Sequence, residues 1–133
     1  MGMMKRISWL VYLWPLPCTL LGLLIGNLPW LGERRIVQKN GTIGIYGPGI
    51  ARILQCVPIR GGAAALTLGH TILATSEESF AQTFSHELVH VRQYIWWGPL
   101  FLPAYGLNSG WQWLRGRDAY LDNAFEKQAR RYE

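Results

Sequence analysis

Two of the chain's three histidines stand four residues apart, in the segment His86-Glu87-Leu88-Val89-His90. On a helix, positions i and i+4 stack on one side a turn apart, so both imidazoles can reach one ion. An H-E-x-x-H segment suits Zn²⁺, which takes two such histidines, at least one more protein ligand and a water at an open position. Binding to zinc lowers that water's pKa to about 7. Glu87, rotated to the flank between the histidines, can take the proton and pass it to a leaving amine. By chance alone the motif arises in well under about 1% of chains this long. The bland alternative is a polar pair on a solvated helix face, and long apolar stretches on both sides argue against it.

The helix that must carry these residues is predicted over Phe80 to about Ile95. Phe84, Leu88, Val91 and Ile95 recur on one face, with Thr83, His86, His90 and Gln93 opposite. Gln93 is near enough to support the site, and Arg92 points away from it. Thr75-Ser76-Glu77-Glu78-Ser79 is a helix-start cluster. Thr75 with Glu78, and Ser79 with Gln82, each fit a capping box.

Upstream, Ile36 to Gln38 and Thr42 to Tyr46 flank Asn40-Gly41 and read as a β-hairpin. Ile50, Ile53, Leu54 and Val57 have helical spacing, and Pro58 stops that helix; Arg60-Gly61-Gly62 reads as a turn. Ala64 to Ala74 reads as one strand, because Leu66, Leu68, His70 and Ile72 alternate with Thr67, Gly69, Thr71 and Leu73.

Spacing leaves the third ligand open. A metzincin continuation needs Gly at position 93 and His at 96, and Gln93 and Trp96 exclude it. The remaining histidine is His70; the downstream carboxylates are Asp118, Asp122, Glu126 and Glu133. Asn123 to Tyr132 reads as a terminal helix. On it Glu126 can be a ligand, a capping-box partner of Asn123, or a surface partner of Arg130.

Charged residues are 16% of the 133, against a usual figure of about 25%. Lys plus Arg exceed Asp plus Glu by 13 − 8 = 5. The surplus accompanies long uncharged stretches, which points to membrane lipid as a partner rather than nucleic acid. Ile7 to Gly32 holds no charge and exceeds the about 20 residues a span needs. No A-x-A-like cleavage site follows it, so a retained membrane segment is expected rather than a signal peptide. Pro15 and Pro17 should kink it or start a shorter helix at Leu16. Gln93 to Leu114 is also uncharged; its prolines and glycines argue against a regular spanning helix. It reads as a membrane-dipping hairpin or as an aromatic loop on the core. Cys18 and Cys56 are not expected to pair.

At its motif the chain resembles gluzincin-type zinc metallopeptidases, including the membrane proteases HtpX and the CAAX prenyl proteases. In these a later helix supplies a glutamate in a Glu-x-x-Ala-Asp context. Glu126 and Ala129 fit that pattern; Arg130 stands where it has Asp, a carboxylate that orients a ligand histidine. The segment from His86 is also similar to small bacterial proteins with an H-E-x-x-H-x-x-Q block and a late F-E-x-x-A block. The resemblance covers roughly residues 64 to 132. It implies His86, His90 and Glu126 as zinc ligands, Glu87 as general base, and Leu66 to Leu73 as an edge strand for a peptide or protein substrate. It also offers His70 as an oxyanion stabiliser or extra ligand, against the plainer reading of a hydrogen-bonded strand histidine.

The expected fold is α+β: a minimal zincin-like domain over 36–133 with a small β-sheet, the HExxH helix and a C-terminal helix. An aromatic interfacial insertion lies at about 94–114, and an N-terminal membrane segment precedes the domain at 1–35. The expected function is a membrane-associated zinc metallopeptidase. The alternatives are a zincin-like domain that binds metal or a membrane partner without catalysis, and a basic membrane-interface protein with a chance motif.

Overall fold

Asn40 and Gly41 both take positive φ, 49° and 74°, as the two-residue turn of a hairpin requires. They join β1 (Arg35–Lys39) to β2 (Thr42–Tyr46) in the expected hairpin, with Lys39 opposite Thr42. The computed structural model describes residues 10–57 and 62–133. Lys5, Arg6, Trp9, Pro58 and the Arg60-Gly61 part of the expected turn lie outside the described residues.

After a helical turn at residues 10–13, the elements run α1 (Leu16–Gly26), β1, β2, α2 (Pro48–Leu54), β3 (Ala65–Leu68), β4 (Thr71–Ala74), α3 (Glu77–Trp97), a 3₁₀ turn (Gly98–Leu100), α4 (Phe101–Leu114) and α5 (Ala124–Tyr132). The α+β class is therefore as expected. The sheet has order β1-β2-β4-β3; β2 and β4 are parallel and the other pairs antiparallel. That leaves β3 on an edge.

The expected single strand from Ala64 to Ala74 is two strands. Gly69 takes φ +61° at the first turn position, and the chain reverses at Gly69-His70. A two-residue turn exchanges the faces, so Leu66 and Leu68 share a side with Leu73 rather than with Ile72. Leu68 and Leu73 join Ile45, Ile50 and Leu54 in a core under α1 and α2. Ile72 and Ala74 pack with Tyr46, Phe80, Phe84 and Val91 of α3 on the other side. The sheet thus lies between α1 and α2 on one face and α3 on the other.

The uncharged N-terminal run is divided by its prolines. α1 starts at Leu16, as expected, with Pro15 before it and Pro17 in its first turn. It lasts 11 residues, and no helix among the described residues is long and apolar enough to cross a membrane. The second uncharged run also differs from expectation. α3 continues to Trp97, and α4 is a regular helix with Pro103 in its first turn, where a missing N–H leaves no hydrogen bond unmade. A Cβ at Gly106 or Gly110 meets nothing within 4 Å, so neither glycine marks a break or a close approach. Both cysteines are free.

Candidate metal centre

The α3 helix is capped at neither expected capping box, but one residue after Thr75 and three before Ser79. Ser76 is the cap, and its side chain accepts from the Ser79 backbone N–H at 3.1 Å. Phe80, Phe84 and Val91 then anchor α3 to the sheet. This presents His86 and His90 toward α5, which packs alongside through the fully buried Ala129. Asn123 caps α5 by accepting from the Phe125 N–H at 2.9 Å. Glu126 therefore plays no capping part, and Arg130 donates instead to the Leu121 carbonyl. With both alternatives removed, the Glu126 carboxylate turns inward.

There it meets both histidines. Its Oε2 lies 3.0 Å from His86 Nε2 and its Oε1 3.2 Å from His90 Nε2. One ligand atom each from His86, His90 and Glu126 fall within 4.8 Å of one another, so the three can hold a metal ion. Asp118 and Asp122 stay in the loop before α5, where they accept backbone N–H groups. His70 sits in the β3–β4 turn with its ring 4.4 Å from that of Tyr12. It is buried but not part of the cluster, and its Nδ1 has no hydrogen-bond partner among the described residues. The expected strand position is corrected to a turn; the backbone of His70 is bonded to Thr19 Oγ1 and Ile43, and its ring Nδ1 is the unsatisfied atom.

Each of the three clustered side chains is held from behind. His90 Nδ1 faces Gln93 Oε1 at 2.7 Å, which makes that nitrogen the donor and leaves Nε2 for the cluster. The Gln93 amide donates in turn to the Phe125 carbonyl at 3.0 Å and to Gln128 Oε1 at 2.8 Å, locking α3 to α5. His86 Nδ1 faces Glu133 Oε2 at 2.6 Å. Glu133 thus supplies an orienting carboxylate although Arg130 occupies the position where the gluzincin pattern has one. Tyr105 of α4 donates to Glu126 Oε1 at 2.7 Å. Asn123 holds the Tyr105 carbonyl at 3.1 Å and Ser109 Oγ at 2.8 Å, so α4 and α5 share this bracing.

Glu87 is buried beside the pair and accepts from Thr67 Oγ1 of β3 at 2.5 Å. Thr67 and Tyr105 were not legible as site residues. Both were apolar-context positions with no spacing signal, and only the pairing of β3 against α3 and the course of α4 bring them in. A cavity of about 550 Å³ opens on the cluster, between β3 residues such as Leu66 and Thr67 and α4 residues such as Leu102 and Tyr105.

The electrostatics follow from this crowding. The hydrogen bond to Glu126 raises His86 most; Glu133 and Glu87 add to it, and against the opposing burial it reaches about 9. For His90 burial acts downward most strongly, yet Glu126, Glu87 and Gln93 together lift it. Burial pushes Glu126 upward, but donation from His86, His90 and Tyr105 holds it well below the usual carboxylate range. Burial raises Glu87, with His90 and Thr67 opposing. Without metal the cluster thus favours protons on the imidazoles around an ionised carboxylate, and a divalent cation bound there would displace such protons.

Comparison of the chain with protein-family models, with curated proteins and with solved structures finds no match.

Proposed function

We propose that His86, His90 and Glu126 hold Zn²⁺ and that the protein is a membrane-associated peptide hydrolase. The observation that carries this reading is the convergence of two imidazoles from α3 and a carboxylate from α5 on one point of a cavity wall. Two nitrogens and one oxygen suit zinc, and three protein ligands leave a position open. When bound, the metal would supply a water acidified to about pKa 7 and a Lewis acid for a carbonyl.

The chain's own groups supply the remainder. Glu87, one residue from His86 and lining the same cavity, accepts the water's proton and delivers it to the leaving amine. Thr67 fixes its carboxylate. Edge strand β3 lines the cavity, and among the described residues no strand pairs with its outer side, along which an extended peptide can add as a further strand. Gln93 and Glu133 orient the imidazoles. The placement at a membrane is supported by the uncharged stretches on both sides of the site.

The test compares wild type with Glu87→Gln on an unfolded protein substrate, with zinc content measured in both and in His90→Ala. Cleavage by wild type alone, with zinc retained in Glu87→Gln and lost in His90→Ala, is expected. Equal cleavage by wild type and Glu87→Gln overturns the reading. The non-catalytic alternative draws on the burial of Glu87 and its existing bond to Thr67. It expects roughly one zinc per chain and no cleavage by either.

A further inference from the structure

The α4 helix is amphipathic in the wrong sense for a helix facing water. Its inner side carries polar residues: Tyr105 on Glu126, Asn108 on the Ala124 N–H, Ser109 on Asn123, and the buried Gln112. Its outer side carries Leu107, Trp111 and Leu114, spaced by four and three, and they are 77%, 56% and 73% exposed. Trp113 at 69%, on the flank of α4, and Trp96 at 85%, near the end of α3, are further exposed tryptophans. α1 adds Leu20, Leu21 and Leu24, also exposed. α1 packs near the 3₁₀ turn that opens α4, where Cys18 shares a cluster with Tyr94 and Phe101 and the Trp14 indole lies against Gly98. Water offers such a surface nothing, and large exposed apolar patches mark interaction sites.

We propose that the outer face of α4, continued by α1, docks on an anionic lipid bilayer and lies in its interface without crossing it. Length supports lying rather than spanning. Helices of 11 and 14 residues reach ~16 and ~21 Å, short of the ~30 Å hydrocarbon core. Tryptophans favour the headgroup level. Arg115 and Arg117, both exposed, follow α4 directly, and the Arg115 guanidinium lies 5.6 Å over the Trp111 ring. The apolar face is thus edged by cations that complement anionic headgroups. The proposal rests on the membrane-associated reading above and not on its metal chemistry. Its consequence for that reading is that the wall of the cavity is also the bilayer-facing helix. Substrate would then be a peptide segment emerging at the lipid surface.

The test sediments the full chain with vesicles of phosphatidylcholine, alone and mixed with phosphatidylglycerol, for wild type and Trp111→Ser/Trp113→Ser. Both tryptophans are exposed, so folding should persist, and circular dichroism checks it. Binding to the mixed vesicles, stronger than to neutral ones, with a loss of roughly tenfold or more in the double variant, is expected. Quenching of wild-type tryptophan emission by bromine-labelled lipid supports it without any substitution. Wild type that stays in the supernatant overturns both the surface and the membrane reading. A double variant that binds like wild type overturns the α4 surface alone and leaves binding to the N-terminal stretch. A concentration-dependent dimer of wild type that the double variant does not form assigns the surface to a second copy and also overturns the proposal.

Discussion

Gln93 has its acceptor oxygen on His90 and its amide on two groups of α5, so one side chain fixes a ligand's tautomer and the spacing of the helices that hold the site. Gln93→Leu keeps the volume and removes both functions. Zinc affinity should fall roughly 10- to 100-fold, measured by competition with a chromophoric chelator; unchanged affinity would remove Gln93 from the site. The same crowding sets the pH response. In the metal-free fold His86 titrates near 9, raised from 6.5 by Glu126. A raised histidine stabilises the folded state fully below the unfolded value and loses that contribution as pH rises through the folded one. Metal-free stability from this group is therefore complete below 6.5 and gone above about 9. Zinc must displace that proton. Its apparent affinity should rise about tenfold per pH unit for each proton released, and the His86 share should level off above about 9. Calorimetry in buffers of different ionisation enthalpy reads the protons directly, and zinc binding at pH 7 with no release contradicts the ion-paired cluster.

Gly98 is the joint at the element scale, between α3 and the 3₁₀ turn that leads into α4. Its φ is +58°, and a Cβ there would lie about 2 Å from the Trp14 indole. Gly98→Ala meets strain and a large rigid ring together, and should destabilise by about 1–3 kcal/mol in urea melts, with an unchanged midpoint the contrary result. This joint marks where sequence reading stopped short. The HExxH face of α3, the Asn40-Gly41 hairpin and the capped α5 were legible, because periodicity and turn chemistry are local signals. Gly69 was the signal for a turn at Gly69-His70, but apolar alternation ran through it unbroken and hid the reversal. Prolines and glycines in 98–110 are local breaker signals. In α4 Pro103 falls in the first turn, where it costs little, and the tertiary packing of Phe101 and Tyr105 on α3 and α5 outweighs the glycines. Glu126 was legible as a candidate, and only the resemblance, not spacing, set it above Asp118, Asp122 and Glu133. That choice depends on how α5 lies against α3, a long-range contact with no local trace.

For the whole molecule, the site is where separate layers are tied together. α3 brings the histidines, α5 the carboxylate, α4 the tyrosine on that carboxylate, and β3 the threonine on Glu87. Two apolar cores lie elsewhere, one on each face of the sheet, and a small third one of Cys18, Tyr94 and Phe101 sits beside the site. The outer helices α4 and α5 depend more on this polar knot, since α4 buries only Phe101 and Gln112. A metal bound by α3 and α5 should therefore stabilise the fold measurably. Zinc at about one hundred times its dissociation constant contributes about 2.7 kcal/mol, which for a domain of this size raises Tm by roughly 10 °C. Glu126→Ala removes the ligand that comes from α5. It should abolish most of that rise whatever it does to the metal-free Tm, because the readout is the difference between chelator and zinc for each protein. Scanning fluorimetry on wild type and variant gives both differences. An equal zinc-dependent rise in Glu126→Ala means that zinc binds through groups other than this cluster. A rise confined to wild type makes the contact between α3 and α5 the place where metal and folding are coupled.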